Sequence, residues 1–434
     1  MTPTAIGAMG VAGLILLIVL RVPIGIALAL VGYVGYATIE GWERAGTVLG
    51  SVPIELASAY SLSVLPLFAV MGTLTAVSGL SADLFRAGNS IFRGARGAYA
   101  QSAVFASALF GAVCGSSLAT AAALGKVSIP EMLRNGYPNA LAAGAVAAGG
   151  TLGILIPPSL ILMIYAVIAQ LSVVDLFAAA LIPGLLLMVF YIAVTSVVVR
   201  IRRSPWHVPP AKTRAEPLGR AILRVWHVGL LFGVTIGGIY AGWFTPTEAA
   251  AIGAFGALLL GLVTRRLSPR AAYGAFDETI RLVAGLTFIV IASTMFSYFV
   301  VQTGISKNIA AWIAESGFSP FVVMAFVFFF YLVLGSFLEG MGMVLITVPI
   351  LLPVVTGVGF DPVWFGVFLV LMIEIGLVTP PVGMNLFVLR AVAPEIGMRD
   401  SYVGILPYLA APVLLAILIV TFPQVVLWLP QALK

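Results

Sequence analysis

At 434 residues, with 61% of them hydrophobic and only 9% charged, the chain has too little polar surface for a water-soluble protein and reads as an integral membrane protein. Its 22 Lys and Arg against 16 Asp and Glu give a formal charge of +6, but the basic residues lie in short loops between apolar runs. That is the pattern of positive loops held in the cytoplasm, and it implies no nucleic-acid partner. A single cysteine, Cys114, excludes an internal disulfide, and two histidines, His207 and His227, cannot by themselves make a metal site.

A helix needs about 20 apolar residues, at 1.5 Å each, to cross roughly 30 Å of hydrocarbon. The opening "MTPTAIGAMGVAGLILLIVLR" has no basic residue before its apolar run and no small-residue cleavage site ahead of Arg21. A retained first span is therefore expected, not a signal peptide. Spans are predicted over 4–20, 22–38, 62–80, 138–170 and 174–200, then over 225–242, 246–263, 282–303, 362–394 and 402–426.

Two further regions, 97–127 and 320–356, read as apolar helix, Gly/Ser-rich tip and apolar helix: "GAVCGSSLATAAALG" and "GSFLEGMGMVLITVP". Arg93 and Arg96 precede the first and Lys126 and Arg134 follow it, so both of its ends belong on the cytoplasmic side and it is expected to be a re-entrant hairpin. The second, with Lys307 well before it and Asp361 after it, is expected to enter from the opposite face, tip towards tip. Between the halves runs "RIRRSPWHVPPAKTRAEPLGRAILR", with seven basic residues against one Glu, whose core at 201–220 reads as a cytoplasmic linker.

"GILIPPSLILMIYAV" at Gly153 and "GLVTPPVGMNLFVL" at Gly376 each place two prolines inside an apolar run. Tandem prolines also occur in the polar linker at Pro209 and Pro210, so the pair alone says little; register says more. Pro157 and Pro158 map onto Pro380 and Pro381 at an offset of 223, as do Gly153 onto Gly376 and Pro23 onto Pro246. The chain is expected to be an all-α membrane protein of two repeats, 1–200 and 221–434, each with about five spans, a hairpin and a broken helix. An odd number of crossings inverts the second copy, and inverted repeats with matching broken helices are the signature of secondary transporters. Both termini then fall outside the cytoplasm.

The breaks are chemically useful. Proline removes an amide donor and frees the carbonyl about four residues back, exposing oxygens that suit Na⁺, while the half-helix beyond the break points a partly positive N-terminus inward, where a carboxylate is stabilised. Ser116, Ser117, Thr120, Thr151 and Ser159 surround the first tip and break; Ser336, Glu339, Thr379 and Asn385 surround the second. Hydroxyl and carbonyl oxygens fit a hard cation and not zinc. Glu339 and Glu374 are the acids expected at membrane depth, where ionisable groups are functional candidates, whereas Glu248 in "TPTEAA" reads as the opening of a helix.

At these residues the sequence resembles the large, DctM-type membrane subunit of the tripartite ATP-independent periplasmic (TRAP) transporters. The most specific stretches are "GAVCGSSLATAAALGKVSIPEM", "GGTLGILIPPSLILMIYAV", "GLVTPPVGMNLFVL" and "GSFLEGMGMVLITVPILLPV". The resemblance covers essentially the full chain. It implies an elevator-type member of the ion transporter superfamily in a bacterial or archaeal inner membrane, with Na⁺-driven uptake of an organic acid such as a C4-dicarboxylate. A periplasmic binding protein would deliver the acid, and a separate small membrane subunit of about four helices would complete the assembly.

Carried over, a first Na⁺ site would join the tip at Gly115, Ser116 and Ser117 to the break from Thr151 to Pro158, including Pro157. A second would join the tip from Gly335 through Glu339 to Gly340 with Thr379, Pro380, Gly383 and Asn385. Ser116, Ser117, Gly340 and Asn385 would bracket the substrate. The rival readings are a stand-alone Na⁺- or H⁺-coupled carboxylate symporter, a channel and an intramembrane enzyme. The last lacks any His-Glu-x-x-His or Gly-x-Ser-x-Gly motif with membrane-embedded partners, and "GKVS" at Gly125 is not a P-loop.

Overall fold

The structure is a computed structural model and describes residues 2–201, 208 and 217–433. Most of the basic linker, with His207, Pro209 and Pro210, lies outside the described residues. The described residues are all-helical, without a strand. In the first half they form α1 (Pro3–Val19), α2 (Ile24–Glu40), α3 (Trp42–Ser58), α4 (Val64–Val77), α5 (Leu80–Ile91), α6 (Ala98–Cys114), α7 (Ser117–Arg134), α8 (Asn139–Leu155), α9 (Leu160–Ala169) and α10 (Val173–Arg200). After α11 (Leu218–Arg224), α12 (Trp226–Phe232) passes through one π turn into α13 (Gly238–Tyr240), followed by α14 (Pro246–Val263), α15 (Pro269–Thr303) and α16 (Ile305–Glu315). The chain ends with α17 (Pro320–Gly335), α18 (Gly340–Gly357), α19 (Pro362–Val378), α20 (Met384–Val392), α21 (Met398–Thr421) and α22 (Gln424–Ala432).

Local sequence sets many of these starts. α1, α14, α15, α17 and α19 each open on a proline directly after a Thr, Ser or Asp whose side chain caps the first turn. The cap satisfies a free amide and the proline supplies a preset φ where no donor is needed. Glu248 completes a capping box with Thr245, its carboxylate accepting from the Thr245 amide at 2.8 Å. The 223-residue offset reappears in the elements: α7 and α18 begin and end in register, as do α8 and α19.

Span lengths depart from expectation in places. By length and composition six helices among the described residues can cross a membrane, or seven if the bent pair α4 and α5 is one span. The expected spans over 4–20, 22–38 and 225–242 are apolar helices of 17 residues or fewer. The one expected over 62–80 stops at Val77 and turns by 70° into α5, because Gly79 enters the left-handed region. The one expected over 282–303 is only the last part of α15, which runs 35 residues from Pro269. Where the first half breaks between α3 and α4, the second half runs straight through.

The centre is built from α8 and α19, the helices that precede the two breaks. Every residue of α8 after Asn139 is buried, as is every residue of α19 after Val363. α8 crosses α21 so closely that the backbone of Gly144 meets that of Gly404. On the outside α17 exposes Phe321, Phe326, Phe329 and Phe330, an apolar surface suited to lipid.

Candidate functional site

Both predicted hairpins form. Two residues, Gly115 and Ser116, join α6 to α7, with Gly115 at φ +68 and Ser116 capping α7 by accepting from the Ala119 amide at 3.4 Å. Gly115 lies so close to the first break that an added Cβ would stand 2.7 Å from the Pro158 carbonyl oxygen. The second hairpin turns between Gly335 and Gly340, and Gly335 packs backbone to backbone against Gly376, ahead of the second break. The breaks fall at 156–159 and 379–383, and the Pro157-Pro158 and Pro380-Pro381 bonds are both cis.

The two tips meet around one cavity of about 150 Å³. The first tip supplies Gly115, Ser116, Ser117 and Leu118; the second supplies Glu339, Gly340 and Met341. Ile154, Leu160 and Ile161 flank it from the first break, Leu377 from the second, and Leu282 and Leu286 of α15 close it. The lining holds no Lys or Arg.

Two features give this cavity chemical character. Ile154 and Leu377 are equivalent in the two repeats, and the residues four places on are Pro158 and Pro381, which have no N–H to give. The carbonyls at 154 and 377 therefore lack a helical donor. Conversely α7, α18 and α9 all begin at the cavity, at Ser117, Gly340 and Leu160, so three helix N-termini bring partial positive charge to it. Each is worth roughly 0.3–1 kcal/mol to a nearby anion. A place with unpaired carbonyls and converging helix N-termini can hold a cation and an anion together.

The sequence-predicted residues divide. Gly115, Ser116, Ser117, Glu339 and Gly340 share the cavity. Thr151 does not reach it with its side chain: the hydroxyl donates to the Ala148 carbonyl at 2.8 Å and meets the Tyr191 hydroxyl at 3.1 Å, on the α10 side. Thr120 donates to the Ser116 carbonyl at 2.7 Å and stiffens the first tip, and Ser159 caps α9. Ser336 donates back to Leu332 at 2.9 Å and Thr379 to Ile375 at 2.5 Å, both spent within their own helices. Pro157 and Pro380 form the breaks, and Gly383, at φ +64, opens α20.

Asn385 requires a correction. The sequence expectation groups it with the second tip, yet its Oδ1 accepts from Ser117 Oγ at 2.9 Å and its Nδ2 donates to the Ala147 carbonyl at 3.5 Å, at the first. The reason is an exchange between repeats. α20 packs on α7, where Leu389 and Val392 fill the space beside Gly125, and α9 packs on α18. Each half-helix thus lies on the other repeat's hairpin; Leu160 and Ile161 of α9 line the cavity, and no residue of α20 does. Leu282 and Leu286 were not legible as site residues, since nothing distinguishes them from other lipid-span leucines.

Among the described residues no group of three His, Cys, Asp or Glu is placed to hold a metal ion, and the side-chain oxygens lining the cavity are those of Ser116, Ser117 and Glu339. Cys114 is buried and unpaired just before the first tip.

Known proteins resemble the chain in sequence and in fold. The chain is 37% identical over 378 residues to the C4-dicarboxylate TRAP transporter large permease protein DctM of Pseudomonas aeruginosa, covering 87% of this chain and 88% of that one. It is 33% identical to the sialic acid TRAP transporter large permease protein SiaM of Vibrio cholerae, covering 86% of each, and 30% identical to the ectoine TRAP transporter large permease protein TeaC of Halomonas elongata, covering 96% and 97%. In fold it is similar to the YdaH transporter of Alcanivorax borkumensis, with a TM-score of 0.60 at 18% identity over 88% of this chain and 89% of that one. It is likewise similar to MtrF of Neisseria gonorrhoeae, with a TM-score of 0.62 at 14% identity over 97% and 94%. The three permease relatives are named as subunits of transporters, not as enzymes. The model of the tripartite ATP-independent periplasmic transporter DctM component matches residues 11–425, and this chain belongs to that family.

Proposed function

We propose that this large permease subunit performs secondary-active, Na⁺-coupled uptake of a small organic acid at the cavity between its two hairpin tips. One observation carries the reading: the donorless carbonyls at 154 and 377, contributed by equivalent positions of the two repeats, adjoin the same cavity onto which three helix N-termini open. Na⁺ as cargo takes the carbonyls and the Ser117 hydroxyl, whose proton is committed to Asn385 and whose lone pairs remain for a cation. The acid's carboxylate takes the N-termini of α7 and α18.

The carboxylate class is supported by relatives named for C4-dicarboxylate and sialic acid, and the name TeaC, for ectoine, leaves the particular compound to be set elsewhere. In this reading the hairpins, broken helices and the helices packed on them move together past a scaffold formed around α2, α4, α14 and α15, as an elevator. The repeats are inverted, both termini face the periplasm, a binding protein delivers the acid and a separate small subunit docks on the scaffold.

The test needs no substrate: thermal unfolding of the purified chain in detergent, titrated with Na⁺ against K⁺ at fixed ionic strength. Occupancy at a hundred times the dissociation constant adds about 2.7 kcal/mol. Na⁺ is expected to stabilise, K⁺ is not, and Ser117→Ala is expected to weaken the Na⁺ response. Equal responses to the two ions would remove Na⁺ coupling and leave the fold intact.

A further inference from the structure

A carboxyl buried within an apolar helix needs either a partner for its charge or a proton to remove that charge. Glu374 lies in the buried run of α19, two residues before the backbone contact between Gly376 and Gly335, with no exposed surface. Neither of its oxygens has a hydrogen-bond partner.

The elements packed on α19 are α8, α9, α10, α17, α18, α20, α21 and α22. Their described basic residues are Arg200, Arg390 and Arg399, all exposed to solvent or lipid and none bonded to Glu374. Their acids, Asp175 and Asp400, stand in the first turns of α10 and α21. Of their phenols, Tyr165 donates to the Pro362 carbonyl, Tyr402 to the Pro381 carbonyl, and Tyr331 and Tyr408 pair with Thr347 and Thr195. Tyr191, on α10, meets the Thr151 hydroxyl at 3.1 Å.

The order of protons at Tyr191 decides what it can offer. Thr151 has one hydroxyl proton and gives it to the Ala148 carbonyl, so the 3.1 Å contact between Thr151 and Tyr191 is donated by Tyr191. The phenol's proton is thereby used, and its oxygen is left to accept. A carboxylate at position 374 meets no donor, whereas a carboxylic acid carries no charge that needs one and has a proton to give.

We propose that Glu374 is a proton-binding site of this transporter, filled in the packed arrangement seen here, with the Tyr191 oxygen as acceptor for its proton. Losing that proton leaves an unpaired anion in the centre of the molecule, so release requires α19 to separate from its neighbours and admit water. The chain then carries a proton site apart from the cavity at the tips, and the inference rests on no part of the Na⁺ reading.

The full chain in lipid vesicles, studied by infrared spectroscopy at neutral pH in H₂O and D₂O, tests this. The expected result is a protonated-carboxyl C=O stretch that shifts in D₂O, is absent from Glu374→Gln, and moves to higher frequency in Tyr191→Phe as its hydrogen bond is lost. Glu374→Gln, the neutral isostere, is expected to fold with an unfolding temperature within a few degrees of the parent. The proposal is overturned if the acid band is unchanged in Glu374→Gln, or if that variant fails to fold, since then the anion was needed. An unchanged band in Tyr191→Phe would remove Tyr191 as the acceptor.

Discussion

Gly404→Val is expected to destabilise the chain by about 3 kcal/mol or more, at or beyond the upper end of core overpacking, and to deplete the monodisperse folded fraction in detergent. A Cβ on Gly404 would lie 2.0 Å from the Ala140 carbonyl oxygen, and one on Gly144 would lie 2.1 Å from the Gly404 carbonyl oxygen. Both obstacles are backbone, so no rotamer change relieves them and α8 and α21 must part. α8 is the buried axis on which the first hairpin packs, so the separation propagates to the cavity. Gly46→Ala in α3 is the control: nothing lies within 4 Å of the added carbon, and the change is expected to stay within about 1 kcal/mol, with a stabilising sign. If Gly404→Val unfolds at the same temperature as Gly46→Ala, the close crossing is wrong.

Asn385→Ala is the second large effect, at about 2–4 kcal/mol. The truncation strands the buried Ser117 hydroxyl, removes a second donor from the Ala147 carbonyl, and leaves space where a fully buried side chain stood. Because Ser117 opens α7 in one repeat and Asn385 lies in the half-helix of the other, the bond ties the halves together. A double-mutant cycle with Ser117→Ala, read by chemical or thermal unfolding, is expected to show a coupling of about 1 kcal/mol or more. Strict additivity would mean that the two side chains do not meet. The Na⁺ response should weaken in Asn385→Ala too, since the amide orients the Ser117 hydroxyl.

Much was legible because the signals are local. The proline pairs and the Gly/Ser tips mark their own positions: a missing N–H and a left-handed glycine alter the backbone wherever they stand. The hairpins over 97–127 and 320–356 accordingly appear as α6 with α7 and α17 with α18, and the broken helices as α8 with α9 and α19 with α20. The length of a span was harder to read. Ser78 is the one polar residue between Val77 and Leu80, too weak a mark to end a span by hydropathy, and the turn into α5 depends on a backbone dihedral.

The sequence by itself determined a helical membrane protein, its duplicated breaks and the oxygen-rich tips, because each follows from residue type and register along one chain. Tertiary structure decided which pieces face each other. It laid α20 on α7 and α9 on α18, moved Asn385 to the first tip, turned Thr151 towards Tyr191 and let Leu282 and Leu286 close the cavity. Those choices come from close packing between helices far apart in sequence, where glycine-lined grooves such as those at Gly125 and Gly144 admit one neighbour and not another. No pattern within a single helix carries that information.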